Sequence, residues 1–190
     1  MKATKKELED IRPQFRAGAR EFFDRMSGAE REALMIRCWM AHDARWFMAI
    51  ARECGMEFTN RINQEAAREI GRFEARRIQR ALRLRPVKTL EGYLQFQERI
   101  IELLGPELLQ YEITRADGDA FHLHISYCFA AENAIKGGIA DSYECGILPR
   151  VLGWLDSLRI GSRLEPALGR CMKCAGTDCV FTIGLDFAAR

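Results

Sequence analysis

The chain has 190 residues, 48% hydrophobic and 29% charged, with 29 basic against 27 acidic side chains and a net charge of +2. That length supports one core burying roughly 70% of the unfolded surface, and that balance gives no reason to expect nucleic acid or an anionic membrane as partner. No apolar run approaches the roughly 18 residues of a membrane span, and the charged start Met1–Lys6 leads into no apolar signal core. The expectation is a cytoplasmic protein with no membrane partner.

In chain order, residues 1–105 read as a helical region. Leu8, Ile11, Phe15, Phe22, Phe23 and Met26 recur at helical spacing, with Pro13 and Gly18 weakening the first half. Ser27 followed three residues later by Glu30 is a capping box, and the helix it opens should run to Cys54 with Gly55 as its C-terminal stop. Thr59 or Asn60 opens a third helix to about Leu84, ended by Pro86; its expected core face is Ile62, Ala66, Ile70, Phe73 and Ala81. Thr89 caps a fourth helix, Leu90 to Leu104.

Residues 106–190 change period. Leu109–Thr114 and Phe121–Cys128 alternate apolar and polar around the hairpin turn Asp117-Gly118-Asp119. Ile147–Leu158 reads as a helix, and strands follow near Ser162–Gly169 and Cys179–Phe187. The plan is α+β: an N-terminal helical layer on a C-terminal antiparallel sheet of strand-strand-helix-strand-strand order, the helical region 1–105 and the cysteine-rich ligand- and metal-binding region 106–190 being expected to form one compact unit.

Seven cysteines stand against three histidines. An odd count without a secretory signal argues against a disulfide framework, leaving metal ligation or thiol chemistry. Cys171, Cys174 and Cys179 are spaced C-x2-C-x4-C, and thiolates are soft donors suited to zinc or iron. Strict alternation puts Cys128 on one strand face with His122 and His124, and Cys145 precedes a helix start, where a thiolate is stabilised. The candidate metal ligands are therefore Cys128, Cys145, Cys171, Cys174 and Cys179. The alternatives are reactive thiols, or cysteines acting as small hydrophobes.

A second constellation lies on the second helix. Trp39, His42, Asp43 and Trp46 share one stripe, which would bury an acid and an imidazole on an apolar face. Asp43 then needs a partner, with Arg77 and Glu74 on the third helix as candidates. An internal ion pair is one reading; the other is a pocket lined by Trp39, Trp46, His122 and His124, with His42, Asp43 and Arg77 as catalytic groups. The arginines Arg61, Arg68, Arg72, Arg76, Arg80, Arg83 and Arg85 read as a solvated face, with no aromatic platform to recommend nucleic acid.

Tyr127-Cys128, Tyr143-Glu144-Cys145-Gly146, Gly153-Trp154, Gly169-Arg170-Cys171 and Cys179 to Ile183 together resemble the C-terminal half of the 4-vinyl reductase-type domain, over residues 109–187. The whole chain, with Trp39-x2-His42-Asp43-x2-Trp46, is similar to small prokaryotic proteins grouped near L-2-amino-thiazoline-4-carboxylic acid hydrolases. The first resemblance implies a small-molecule-binding module with a cysteine-held metal and a homodimeric pairing. The second implies the alternative, a hydrolase opening a small cyclic amidine such as L-2-amino-thiazoline-4-carboxylate, in which a metal-bound or His42-activated water attacks the amidine-like carbon, Asp43 orients the imidazole and Arg77 anchors a substrate carboxylate.

Overall fold

The computed structural model describes residues 12–188. Leu8 and Ile11, expected to begin the first helix, lie outside them. Two compact units are present, Met1–Asp43 and Ala44–Arg190. They part inside a helix and not at residue 105, because the third and fourth helices pack with the elements of the C-terminal half.

The first unit holds α1 (Arg12–Asp24) and the first part of α2 (Gly28–Cys54). The capping box forms as the spacing predicts. Ser27 Oγ accepts from the Glu30 amide at 3.2 Å, and Glu30 Oε2 accepts from the Ser27 amide at 2.8 Å. The Ser27 amide first, and the Ser27 hydroxyl with it, donate to the Glu30 carboxylate and hold it below its ordinary range.

In the second unit, α2 ends where Gly55 takes a left-handed φ of +79° and α3 (Met56–Ala81) begins at once. Thr59 therefore lies inside α3, where its hydroxyl donates to the Gly55 carbonyl at 2.7 Å, and it is not the cap. Thr89 does cap α4 (Leu90–Leu104), its hydroxyl accepting from Gly92 N at 3.2 Å. Then come β1 (Leu109–Arg115), β2 (Ala120–Cys128), α5 (Phe129–Lys136), α6 (Ile147–Leu158), β3 (Gly161–Glu165) and β4 (Cys179–Asp186). The sheet is antiparallel throughout, in order β1-β2-β4-β3. The fold is α+β, as the change of period implies.

One face of the sheet is buried. Phe121, Leu123 and Ile125 of β2 and Cys179, Phe181, Ile183 and Leu185 of β4 enter a core shared with Leu90 and Tyr93 of α4 and Leu148 and Leu155 of α6. Each fully buried side chain of this size contributes about 2 kcal/mol. The other side of α6 carries Val151 and Trp154 into a second cluster with Ala75 and Ile78 of α3 and Phe96 and Ile100 of α4. Helix α6 is thus packed on two sides, which is why it is the most apolar of the helices by sequence.

The buried face of α3 is not the expected one. Ile70 and Phe73 are exposed, while Asn60, Gly71, Glu74, Ala75 and Ile78 are buried. The cause is a close crossing with α6. A Cβ on Gly71 would lie 2.2 Å from the Arg150 carbonyl oxygen, and one on Gly153 would lie 2.1 Å from that of Arg68. Only hydrogen fits at either position, so α3 turns its small and polar residues toward α6 and leaves Ile70 and Phe73 outside. Around the crossing, Arg68 Nε and Arg72 Nε donate to Asp156 Oδ2 at 2.7 and 2.9 Å. Two of the arginines expected on a solvated face thus bind α6.

Candidate functional site

The cysteines of the second half converge on one end of the buried sheet face, and a single irregularity makes this so. Gln110 pairs with Tyr127, but the next residue, Tyr111, pairs with Ile125, so Ser126 is an extra residue in β2. Ser126 and Tyr127 are both exposed, and Cys128 arrives on the core side with Phe121, Leu123 and Ile125. Strict alternation had placed Cys128 with His122 and His124; the bulge reverses its face. His122 is exposed on the opposite face, with Nδ1 2.9 Å from Thr182 Oγ1, and His124 is half-buried on that face. Neither imidazole belongs to the thiol cluster.

Three other segments meet Cys128. Cys179 opens β4 opposite Ile125 and is buried. Residues 143–145 and 169–171 form a short antiparallel ribbon: Cys145 N donates to Gly169 O at 3.2 Å, and Cys171 N donates to Tyr143 O at 3.0 Å. This ribbon brings Cys145 beside Cys171. Cys174 follows on a tight turn in which Ala175 N donates to Cys171 O at 3.0 Å, and its thiol points to the Ala131 carbonyl of α5 at 3.9 Å. The polar stripe of α3 holds the ribbon from outside. Asn60 donates to Ser142 O at 2.7 Å and accepts from Glu144 N at 3.2 Å, while Gln64 donates to Glu144 Oε2 at 3.0 Å.

The electrostatics show how close the thiols lie. Burial first, and then the neighbouring Cys171 and Cys128, push Cys145 and Cys174 up to about 12 and Cys179 up to about 11. Burial also raises Cys128, opposed by the first amides of α5 at Ala130 and Ala131. The amides of Ile147 and Leu148 at the start of α6 likewise oppose the shift of Cys145. Two helix N-termini therefore face two of the thiols, the arrangement that favours a thiolate once a countercharge is present. Lys173 acts in the same direction on Cys128 and Cys179, and Arg170 on Cys174. Among the described residues, no three His, Cys, Asp or Glu side chains are already arranged as ligands around one point.

The second expected constellation is placed differently. His42 and Asp43 are both more than half exposed, with Nδ1 to Oδ1 at 3.7 Å, so the premise that Asp43 is buried and must find a partner does not hold. Trp46 is exposed and Trp39 half-buried. Arg77 is exposed with its guanidinium 4.6 Å from the Phe73 ring centroid. Glu74, considered a partner for Asp43, is buried and satisfied within its own unit: Arg150 Nε donates to it at 2.9 Å and Trp154 Nε1 at 3.1 Å. Its partners come from α6, more than seventy residues away, which is why helical spacing on α3 alone could not name them.

A feature missed in the sequence is a groove of about 490 Å³ between α4 and the free edge of β1. Ile101, Leu109, Tyr111 and Ile113 form its apolar wall, and Glu98 and Glu102 flank it. The Tyr111 hydroxyl donates to Glu98, and burial together with that carboxylate raises the phenol's pKa. The available signal was Glu98 and Glu102 one helical turn apart beside an edge strand. None of Trp39, Trp46, His122 or His124 lines this groove.

Fold and thiol cluster define a small α+β protein with a cysteine-rich end. Residues 30–151 match the model of a family of unknown function, DUF6125, and the chain belongs to that family. The match takes in Cys128 and Cys145 and ends before Cys171. No curated protein matches the chain. Among the described residues, no helix is long and apolar enough to cross a membrane.

Proposed function

We propose that this protein binds a single soft metal ion, zinc or iron, through the thiols gathered at the end of the sheet, and a small organic ligand in a helix–sheet groove. The observation that supports the metal reading is the convergence of Cys128, Cys145, Cys171, Cys174 and Cys179 from separate segments, with two helix N-termini directed at them. Without a cation the buried thiols are neutral, and a divalent ion supplies the countercharge that deprotonates its ligands. Four thiolates would close the site as a structural cross-link, whereas three would leave a position for water or ligand. The α4–β1 groove serves the ligand, its size falling within the usual range for small-molecule sites. Its two carboxylates select a ligand with a donor or cationic group. The resemblance to vinyl reductase-type modules agrees with both halves of the reading.

The test is metal analysis of protein purified without added metal, followed by cobalt(II) titration watched for thiolate-to-metal charge-transfer absorption. About one metal per chain is expected, with Cys171→Ser and Cys145→Ser each lowering it. A folded, metal-free protein that takes up neither zinc nor cobalt overturns the proposal.

A further inference from the structure

The helices of the first unit carry an apolar surface that their own unit leaves uncovered. On α1, Phe15 and Phe22 are 65% and 64% exposed and Phe23 41%; on α2, Met35 is 68% and Leu34 38% exposed. Phe22 and Phe23 follow Phe15 by seven and eight residues, two helical turns, so the three lie along one side of α1. No residue of α2 is buried along its whole length. The unit is nevertheless well defined at its turn, where the capping box forms and the Arg31 guanidinium lies 5.7 Å from the Phe23 ring centroid. Two helices with few contacts between them and an open aromatic face do not make a core.

We infer that a second copy of this chain covers that face, the α1 and α2 segments of two protomers forming the interface of a homodimer. Area is the first argument. At about 200 Å² for a full aromatic side chain, these five residues alone expose roughly 500 Å² per chain. That is more than half of the roughly 800 Å² each partner contributes to a standard stable interface. Charge is the second. Over residues 12–43 there are six arginines and five acidic residues, a nearly balanced mixture that selects no strongly acidic or basic partner. A two-fold contact sets the same patch against itself, and a mixed patch can do this without net repulsion. An anionic lipid surface would favour a strongly basic helix face with few acids, which the interspersed Glu21, Asp24, Glu30 and Glu32 do not provide.

The experiment is sedimentation equilibrium of the full chain from about 1 to 100 μM, with Phe22→Glu, Met35→Glu and Val180→Glu measured beside it. Val180 is exposed on the open sheet face of the other unit and serves as control. The parent should weigh twice one chain at the upper concentrations. Phe22→Glu and Met35→Glu should each raise the dimer dissociation constant at least tenfold, and Val180→Glu should leave it within twofold. Near-UV circular dichroism of Trp154 and its surroundings checks that the second unit stays folded. A parent that is monomeric at 100 μM overturns the inference, as does a dimer insensitive to both substitutions. A monomer that binds vesicles of anionic phospholipid through the same residues overturns it in favour of a membrane surface.

Discussion

Replacing Gly153 by alanine tests the α3–α6 crossing on which the second unit is built. The added Cβ would meet the Arg68 carbonyl oxygen at 2.1 Å and the Arg72 amide nitrogen at 3.0 Å, both backbone atoms that no rotamer change can move. Restoring ordinary contact requires the helices to part by about 1 Å, at an overpacking cost of up to ~3 kcal/mol. That movement also lengthens the charged hydrogen bonds from Arg68 and Arg72 to Asp156, for another ~1 kcal/mol after allowing for solvent around Arg68. Alanine's better helix propensity returns up to ~1 kcal/mol. The net loss is about 3 kcal/mol, which at roughly 2–4 °C per kcal/mol lowers the melting temperature by about 6–12 °C. Gly184→Ala is the matched control, since its Cβ would meet nothing nearer than the Arg163 carbonyl oxygen at 3.9 Å. Calorimetry of the two variants decides the matter. If Gly153→Ala melts at or above the parent, the two helices do not touch through their backbones and the account of the exposed Ile70 and Phe73 is wrong.

Removing the carboxylate shared by Arg150 and Trp154 through Glu74→Ala should cost about 3 kcal/mol in urea unfolding, because the partly enclosed guanidinium and the buried indole N–H both lose it as acceptor. Glu74→Gln keeps acceptor capacity, so it should fall between Glu74→Ala and the parent. The Asp156 carboxyl is held below its usual range, first by the hydrogen bond from Arg68. Its contribution is therefore complete above the unfolded value near 4 and is lost as pH falls through the lower folded value. Asp156→Asn should accordingly be less stable than the parent at pH 5–7, by about 1 kcal/mol, with the difference shrinking below about pH 4; a constant difference down to pH 2 would refute the linkage. Cys38 and Cys54 are exposed while the other five thiols are wholly or partly buried. Iodoacetamide at pH 7.5 should add two adducts quickly and the rest only on unfolding, counted by mass spectrometry.

Local signals in the sequence reached as far as local forces decide the outcome. The Ser27–Glu30 box, the Thr89 cap, the stop at Gly55 and the Asp117-Gly118-Asp119 turn are contests within a few residues, and each element formed near its expected place. The face of α3 was misread because periodicity ranks residues by hydrophobicity, whereas the neighbouring helix chose by size: Gly71 and Gly153 admit a backbone, and Phe73 does not. Cys128 was misread because a bulge depends on how two strands match in length and twist, which one strand's alternation does not record. Cys145, Cys171, Cys174 and Cys179 were legible as a set from their types and spacing. Their meeting depends on the ribbon between residues 143–145 and 169–171, whose hydrogen bonds join main-chain atoms and leave little trace in side-chain identity.

Helix α6 has Cys145 just ahead of its first turn and the Gly153 crossing near its middle. A helix is stiff along its axis, so a sub-ångström slide against α3 would be delivered almost undiminished to the amides of Ile147 and Leu148. The two glycines therefore act at a distance as a calibration of where those dipoles sit, and the setting of the Cys145 sulfur inherits its tolerance from a steric fit about two helical turns away.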